Sequence, residues 1–214
     1  MNFTLEARWF GDPPLPDTLM DWFQALGTVE TSTQTDLYLP AEDPTFNLKM
    51  RDDQLQIKRR VAGPFRTTLG PKATGACEQW VKWNFDLDEA PDALWDDDPT
   101  GLWVSLNKTR HQLTVPPEAQ AALHSDLPTT PSATINVELT TIEAEGDTAW
   151  TFCLETEGPV SSIADTFMTA APLLLDESLP LPLAADQSFG YIRWLQQRPE
   201  GPTRPTPEIQ IPRL

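Results

Sequence analysis

Lysine, arginine and glutamate recur along this chain at a spacing of two, the spacing that puts side chains on one face of an extended strand. Glu6 and Arg8, with Thr4, oppose Phe3, Leu5, Ala7 and Trp9; Lys49 and Arg51 oppose Leu48 and Met50. Gln56, Lys58 and Arg60 oppose Leu55 and Ile57, with Arg59 an exception on the apolar side. Trp80, Lys82 and Asn84 oppose Val81, Trp83 and Phe85, and Lys108 and Arg110 form another spaced pair. Asn136, Glu138 and Thr140 oppose Ile135, Val137 and Leu139, and Cys153, Glu155 and Glu157 oppose Trp150, Phe152 and Leu154. A sheet with one wet face produces such alternation in any single strand. The polar faces here, however, hold little Ser, Thr or Gln and segregate their charge. Bases gather at Lys49, Arg51, Lys58, Arg60, Lys108 and Arg110, and carboxylates at Glu6, Glu138, Glu155 and Glu157. Segregated charge converging on one interior suits a polyanion held together with a divalent cation. Arginine and lysine grip phosphate oxygens, and carboxylates hold Mg²⁺ or Mn²⁺, hard ions that prefer oxygen ligands.

Strands must position these groups. The pattern predicts strands over about 3–10, 33–39, 46–51, 54–61, 78–87, 102–114, 134–142 and 148–157, separated by Pro, Gly and Asp punctuation. Three helices are expected. One runs from about Asp17 to Leu26 and stops at Gly27; a second is capped by Ser161/Ser162, runs through Phe167 and is ended or kinked by Pro172; a third covers about Ser188 to Gln197. Eight strands with helices between only some of them make a mainly β (α+β) fold, an antiparallel barrel and not a parallel α/β sheet. The stretch beyond Arg198 carries Pro199, Pro202, Pro205, Pro207 and Pro212 and reads as an extended tail.

The 214 residues suit one all-β unit, and the formal net charge of −17 argues against nucleic acid and against an anionic membrane surface. No apolar stretch is long enough for a membrane span, and the first residues lack a signal-peptide pattern. Cys77 and Cys153 are too few for a disulfide framework, which suggests a reducing, cytoplasmic setting. Seven acidic residues and no base lie between Asp86 and Asp98, the pattern of a solvated loop. His111 and His124 lack ligand-spaced partners, and no Gly-x-Ser-x-Gly, phosphate loop or His-Glu-x-x-His occurs. Cys153 reads as a packing residue, and Trp9, Trp83 and Trp150 read as core.

In their order these motifs resemble the CYTH family, the triphosphate tunnel metalloenzymes. Thr4-Leu5-Glu6-Ala7-Arg8 is similar to that family's opening Glu-x-Glu-x-Lys, and Asp36-Leu37-Tyr38 to its Asp-x-Tyr. Leu48-Lys49-Met50-Arg51 and Leu55-Gln56-Ile57-Lys58 resemble its Leu-Arg-x-Arg and Leu-Thr-x-Lys strands. Lys108-Thr109-Arg110, Glu155-Thr156-Glu157 and Ser188-Phe189 are similar to its Lys-x-Arg, Glu-x-Glu and late Ser-Tyr motifs. Thr4 replaces the first Glu, Arg8 replaces the Lys, and Thr140 stands where an Asp is frequent. The resemblance implies a tunnel-like eight-stranded barrel domain over residues 1–197, followed by the Pro-rich tail 198–214. It implies a metal-dependent hydrolase of inorganic triphosphate or a triphosphorylated organic substrate, with Mg²⁺ or Mn²⁺. Phosphate would be bound by Arg8, Lys49, Arg51, Lys58, Arg60, Lys108 and Arg110, metal by Glu6, Glu138, Glu155 and Glu157, and catalysis would centre on Glu6, Arg51 and Lys58. The competing expectation is a catalytically degenerate polyanion-binding or adaptor protein. Such a protein would engage a partner through the acidic loop 86–98, with Trp95, or through the tail. An apolar ligand is disfavoured by the charged interior.

Overall fold

The computed structural model describes residues 2–52, 54–87, 102–116, 120 and 133–198. Most of the acidic run, Trp95, His124 and the Pro-rich tail lie outside them. Eight strands form a closed antiparallel barrel. They are β1 (Asn2–Gly11), β2 (Glu30–Leu39), β3 (Phe46–Arg51), β4 (Gln54–Gly70), β5 (Ala73–Asp86), β6 (Val104–Val115), β7 (Thr134–Ala144) and β8 (Asp147–Gly158). Around the barrel the order is β1-β5-β4-β3-β2-β6-β7-β8, so closure brings the first strand beside the last. Among the described residues three helices flank it: α1 (Asp17–Ala25), α2 (Val160–Leu174) and α3 (Tyr191–Gln197). No helix among the described residues is long and apolar enough to cross a membrane.

Period-2 alternation divides the apolar residues into two sets. Outside the wall, Ala7, Trp9, Val137, Leu139, Phe152 and Leu154 meet Leu19, Trp22 and Phe23 of α1 and Phe167, Ala170 and Ala171 of α2. Burying a large side chain of this kind contributes roughly 1.5–3 kcal/mol, and this cluster fastens two helices to one half of the barrel. Trp83 is only half-buried, on a stretch of wall away from this cluster. A second cluster lies on the inward faces at one end. Phe10, Tyr38, Val104, Leu106, Ile142 and Ala149 pack with Tyr191, Ile192 and Leu195 of α3. The bore therefore has an apolar floor, and the charged residues stand above it on the same inward faces.

Three local expectations need correction. The fourth and fifth strands were expected to end at 61 and begin at 78, but β4 and β5 form one long hairpin paired as far as Gly70 and Ala73. Register shifts between Arg60 and Phe65 absorb the Gly63-Pro64 punctuation; a bulge tolerates a proline and a positive-φ glycine without ending the strand. Helix α2 starts after Pro159, before the serines, and Ser162 Oγ donates back to the Pro159 carbonyl at 3.0 Å. Pro172 sits in the last turn, and the helix ends two residues later. Helix α3 starts at Tyr191, because Ser188 bridges Trp9 of β1 and its Oγ accepts from the Ala76 amide at 2.8 Å.

Candidate functional site in the barrel bore

The strand order converts alternation into two charged arcs. β5, β4, β3, β2 and β6 are consecutive and turn Lys82, Lys58, Lys49, Arg51, Lys108 and Arg110 inward; β7, β8 and β1 follow with Glu138, Glu155, Glu157 and Glu6. These side chains line one cavity of about 180 Å³. Asp36 on the basic side and Arg8 on the acidic side carry the other sign, and each is held by opposite charges; Glu78 of β5 is a further buried acid, paired with Arg60.

Asp36 is fully buried and accepts from three cations. Lys108 Nζ lies 2.7 Å away, Arg51 Nη2 3.0 Å and Lys49 Nζ 3.3 Å. Burial acts to raise the Asp36 carboxyl pKa, but Lys108, Lys49 and Arg51 outweigh it and hold it far below the usual range. One carboxylate cannot balance three cations out of water. Burial pushes the Lys108 ammonium down to about 8 despite Asp36, and Lys49 is likewise pushed well below its ordinary value. Lys108 also donates to the Tyr38 hydroxyl at 2.9 Å.

Opposite this cluster Glu138 accepts from Arg110 at 2.6 and 2.8 Å and from Arg8 at 3.0 Å. Burial opposes its ionisation, yet Arg8 and Arg110 hold its carboxyl well below the usual range. Glu6 and Glu155 are direct cross-strand partners in the β1–β8 register, a like-charge juxtaposition that is unfavourable on its own. Lys58 relieves it, lying 3.2 Å from Glu6 and 3.9 Å from Glu155. The Lys58 ammonium is held above its ordinary value because Glu155 and Glu6 outweigh burial. Burial, with the adjacent Glu6 charge, raises the Glu155 carboxyl. Glu157 accepts from Asn2 at 2.8 Å and faces Lys82 at 3.8 Å.

Of the residues singled out by sequence, Glu6, Arg8, Lys49, Arg51, Lys58, Lys108, Arg110, Glu138, Glu155 and Glu157 all line the cavity. Arg60 is set apart: it is not among the lining residues, and its guanidinium pairs with Glu78. The four carboxylates do not converge on one point. Among the described residues Glu6 and Glu155, with the Cys153 thiol, bring candidate ligand atoms within 4.8 Å of one another, whereas Glu138 is clamped by two arginines. Cys153 is buried, and burial pushes its thiol well up, which keeps the sulfur protonated.

Sequence reasoning passed over Asp36, Tyr38, Lys82 and Tyr191 as site residues. Asp36 and Tyr38 share a face by spacing and sit in the Asp-x-Tyr stretch, so a signal was present. Lys82 had been placed on a polar face. Tyr191 enters from a helix, where strand alternation carries no information, and the late motif had been assigned to Ser188-Phe189. Phe189 instead stacks on Phe10 with ring centroids 5.0 Å apart.

No family model matches the chain, and no curated protein matches it. Among solved structures, the PH1819 protein of Pyrococcus horikoshii OT3 is 13% identical, the match covering 91% of this chain and 99% of that one with a TM-score of 0.47. HpAC1 from Hippeastrum, described as a candidate adenylyl cyclase with a dominant triphosphatase activity, is 12% identical, with 79% and 85% of the two chains covered and a TM-score of 0.33.

Proposed function

We propose that the bore binds inorganic triphosphate, or the triphosphate of an organic compound, and hydrolyses it with the help of a divalent cation. One observation carries this reading. Seven cationic side chains (Arg8, Lys49, Arg51, Lys58, Lys82, Lys108, Arg110) line the cavity against four carboxylates (Glu6, Glu138, Glu155, Glu157) in a chain of net charge −17. Counting the buried Asp36 behind them, the balance is 7 − 5 = +2. Out of water such an excess is costly unless an anion offsets it. Burial opposes the charge on Lys108 and Lys49, and a bound anion would favour it.

Within this reading Lys49, Arg51, Lys108 and Arg110 grip phosphate oxygens, and Arg51, the most open of the three cations on Asp36, meets the anion first. Arg51 and Lys58 stabilise charge that develops as the phosphoryl group transfers, and Glu6 fixes the Lys58 ammonium through their 3.2 Å bond. Two carboxylates are a donor set that suits Mg²⁺ or Mn²⁺, since such ions are held by one or two carboxylates plus substrate phosphates; Glu6 and Glu155 would hold the ion, and Cys153, a protonated soft donor, would not. When bound, the ion supplies Lewis-acid neutralisation of phosphate charge.

The test is phosphate release from tripolyphosphate, ATP and thiamine triphosphate in Mg²⁺ or Mn²⁺. Arg51→Ala and Glu6→Gln are each expected to reduce kcat by about 100-fold or more. Absence of release from every substrate would overturn the hydrolase. A second reading, a binder without turnover, is favoured by Thr4, whose buried hydroxyl has no hydrogen-bond partner where the resembling family has a carboxylate. Calorimetric binding of tripolyphosphate without release would establish it. A protein partner engaging the acidic loop or the tail would do so through residues outside those described.

A further inference from the structure

Tyr191 reaches the bore from α3, and its ring lies against two deep cations. Lys108 Nζ stands 3.9 Å from the ring centroid and the Arg8 guanidinium 4.7 Å. The hydroxyl accepts from Arg8 Nη1 at 3.3 Å. Below, the ring meets Phe10 edge-on at 5.6 Å and Tyr38 at 5.5 Å. An apolar floor could be completed by any aliphatic side chain. Only an aromatic one presents a negative face to a cation above it, and the attraction strengthens when the pair is out of water.

That face matters because anionic groups are scarce here. The charged or titratable neighbours of Lys108 include Asp36 and Tyr38 from β2, Lys49 and Arg51 from β3, Glu138 from β7, Arg8 from β1 and Tyr191 itself. Asp36 is already divided among three cations and Glu138 between two. We propose that Tyr191 is a positioning residue of the anion site, its ring face holding Lys108 charged and both Lys108 and Arg8 at the depth where phosphate oxygens meet them. The anion in this statement rests on the function proposed above; the effect of the ring on Lys108 does not.

The experiment compares wild type, Tyr191→Phe and Tyr191→Leu by NMR titration of the Lys108 ε-methylene, alongside calorimetry of tripolyphosphate across alkaline pH. In the wild type the ring current should displace the ε-methylene protons upfield, with a midpoint near 8. Tyr191→Phe keeps the ring and should keep both the midpoint and the alkaline limit of binding. Tyr191→Leu should move both to lower pH by roughly one unit, a tenfold loss of the charged form at alkaline pH. An unshifted midpoint in Tyr191→Leu, or an equal shift in Tyr191→Phe, overturns the proposal. Should Tyr191→Leu not fold, absence of the upfield displacement in the wild type overturns it. Failure of the wild type to bind tripolyphosphate at any pH defeats the anion reading alone, since the Lys108 titration still decides the role of the ring.

Discussion

Asp36 and Lys108 carry opposite liabilities that only their contact resolves. Three cations converge on the Asp36 carboxylate, which is fully buried. Asp36→Asn keeps the shape and removes the charge, leaving those cations without a counter-ion. The expected cost is about 3–5 kcal/mol by denaturant unfolding, the range for breaking a buried pair from one side; a loss under about 1 kcal/mol would show that the cluster tolerates its excess. Lys108 makes a prediction in pH. Its pKa is about 8 in the fold against an ordinary 10.5, so between those values the unfolded chain binds a proton that the folded chain lacks. Unfolding then takes up protons, and this group's contribution to stability rises as pH climbs from 8 to 10.5. Cys77 and Cys153, whose thiols are raised by burial, act in the opposite sense above pH 9. The comparison of wild type with Lys108→Met separates them: the wild type should gain on the variant across that window, and a flat or falling difference would contradict the depressed lysine.

At the scale of elements, the joint between the long β4–β5 hairpin and helix α2 is where a small change should do most harm. A Cβ built on Gly70 would stand 2.0 Å from the Leu175 carbonyl oxygen and 2.9 Å from its Cβ. Leu175 caps α2, and backbone cannot yield as a side-chain tip can. Gly70→Ala is therefore expected to cost about 1–3 kcal/mol, as overpacking does, read as a lowered Tm; Gly146→Ala offers a contrast, since nothing lies within 4 Å of its Cβ and only its positive φ of 91° is strained. Much of the element level was legible beforehand. The alternation of Glu6 with Ala7 and of Lys58 with Ile57 assigned each side chain to the correct side of the wall, because a strand's side-chain period depends on the backbone alone. The extension of β4 past Gly63 was hidden, because a bulge looks locally like a strand end.

The whole molecule sets a basic bore inside an acidic shell. At long range an approaching polyanion feels the net −17, and only within the bore does it meet Lys82, Lys58 and Arg51. Salt screens the distant repulsion over about 10 Å at 0.1 M while affecting buried pairs less. The association rate of tripolyphosphate, measured by stopped flow, should thus hold level or rise from low to physiological ionic strength. A steep fall, the behaviour of a basic protein steering an anion, would mean that the shell charge plays no part.

By itself the sequence determined which residues are charged, which of them share a strand face, and that the strands are too many and the helices too few for a parallel sheet. Those properties follow from backbone geometry and local side-chain chemistry. The ring order of the strands was a tertiary decision, since closure of β1 on β8 lets Glu6 face Glu155 across some 150 residues of chain. So were the capture of Glu138 by Arg8 and Arg110, the exclusion of Arg60 by Glu78, and the arrival of Tyr191 from a helix. Alternation says only inward or outward. Depth in the bore and the identity of the facing partner depend on register between distant strands, and register is set by how the barrel closes and packs.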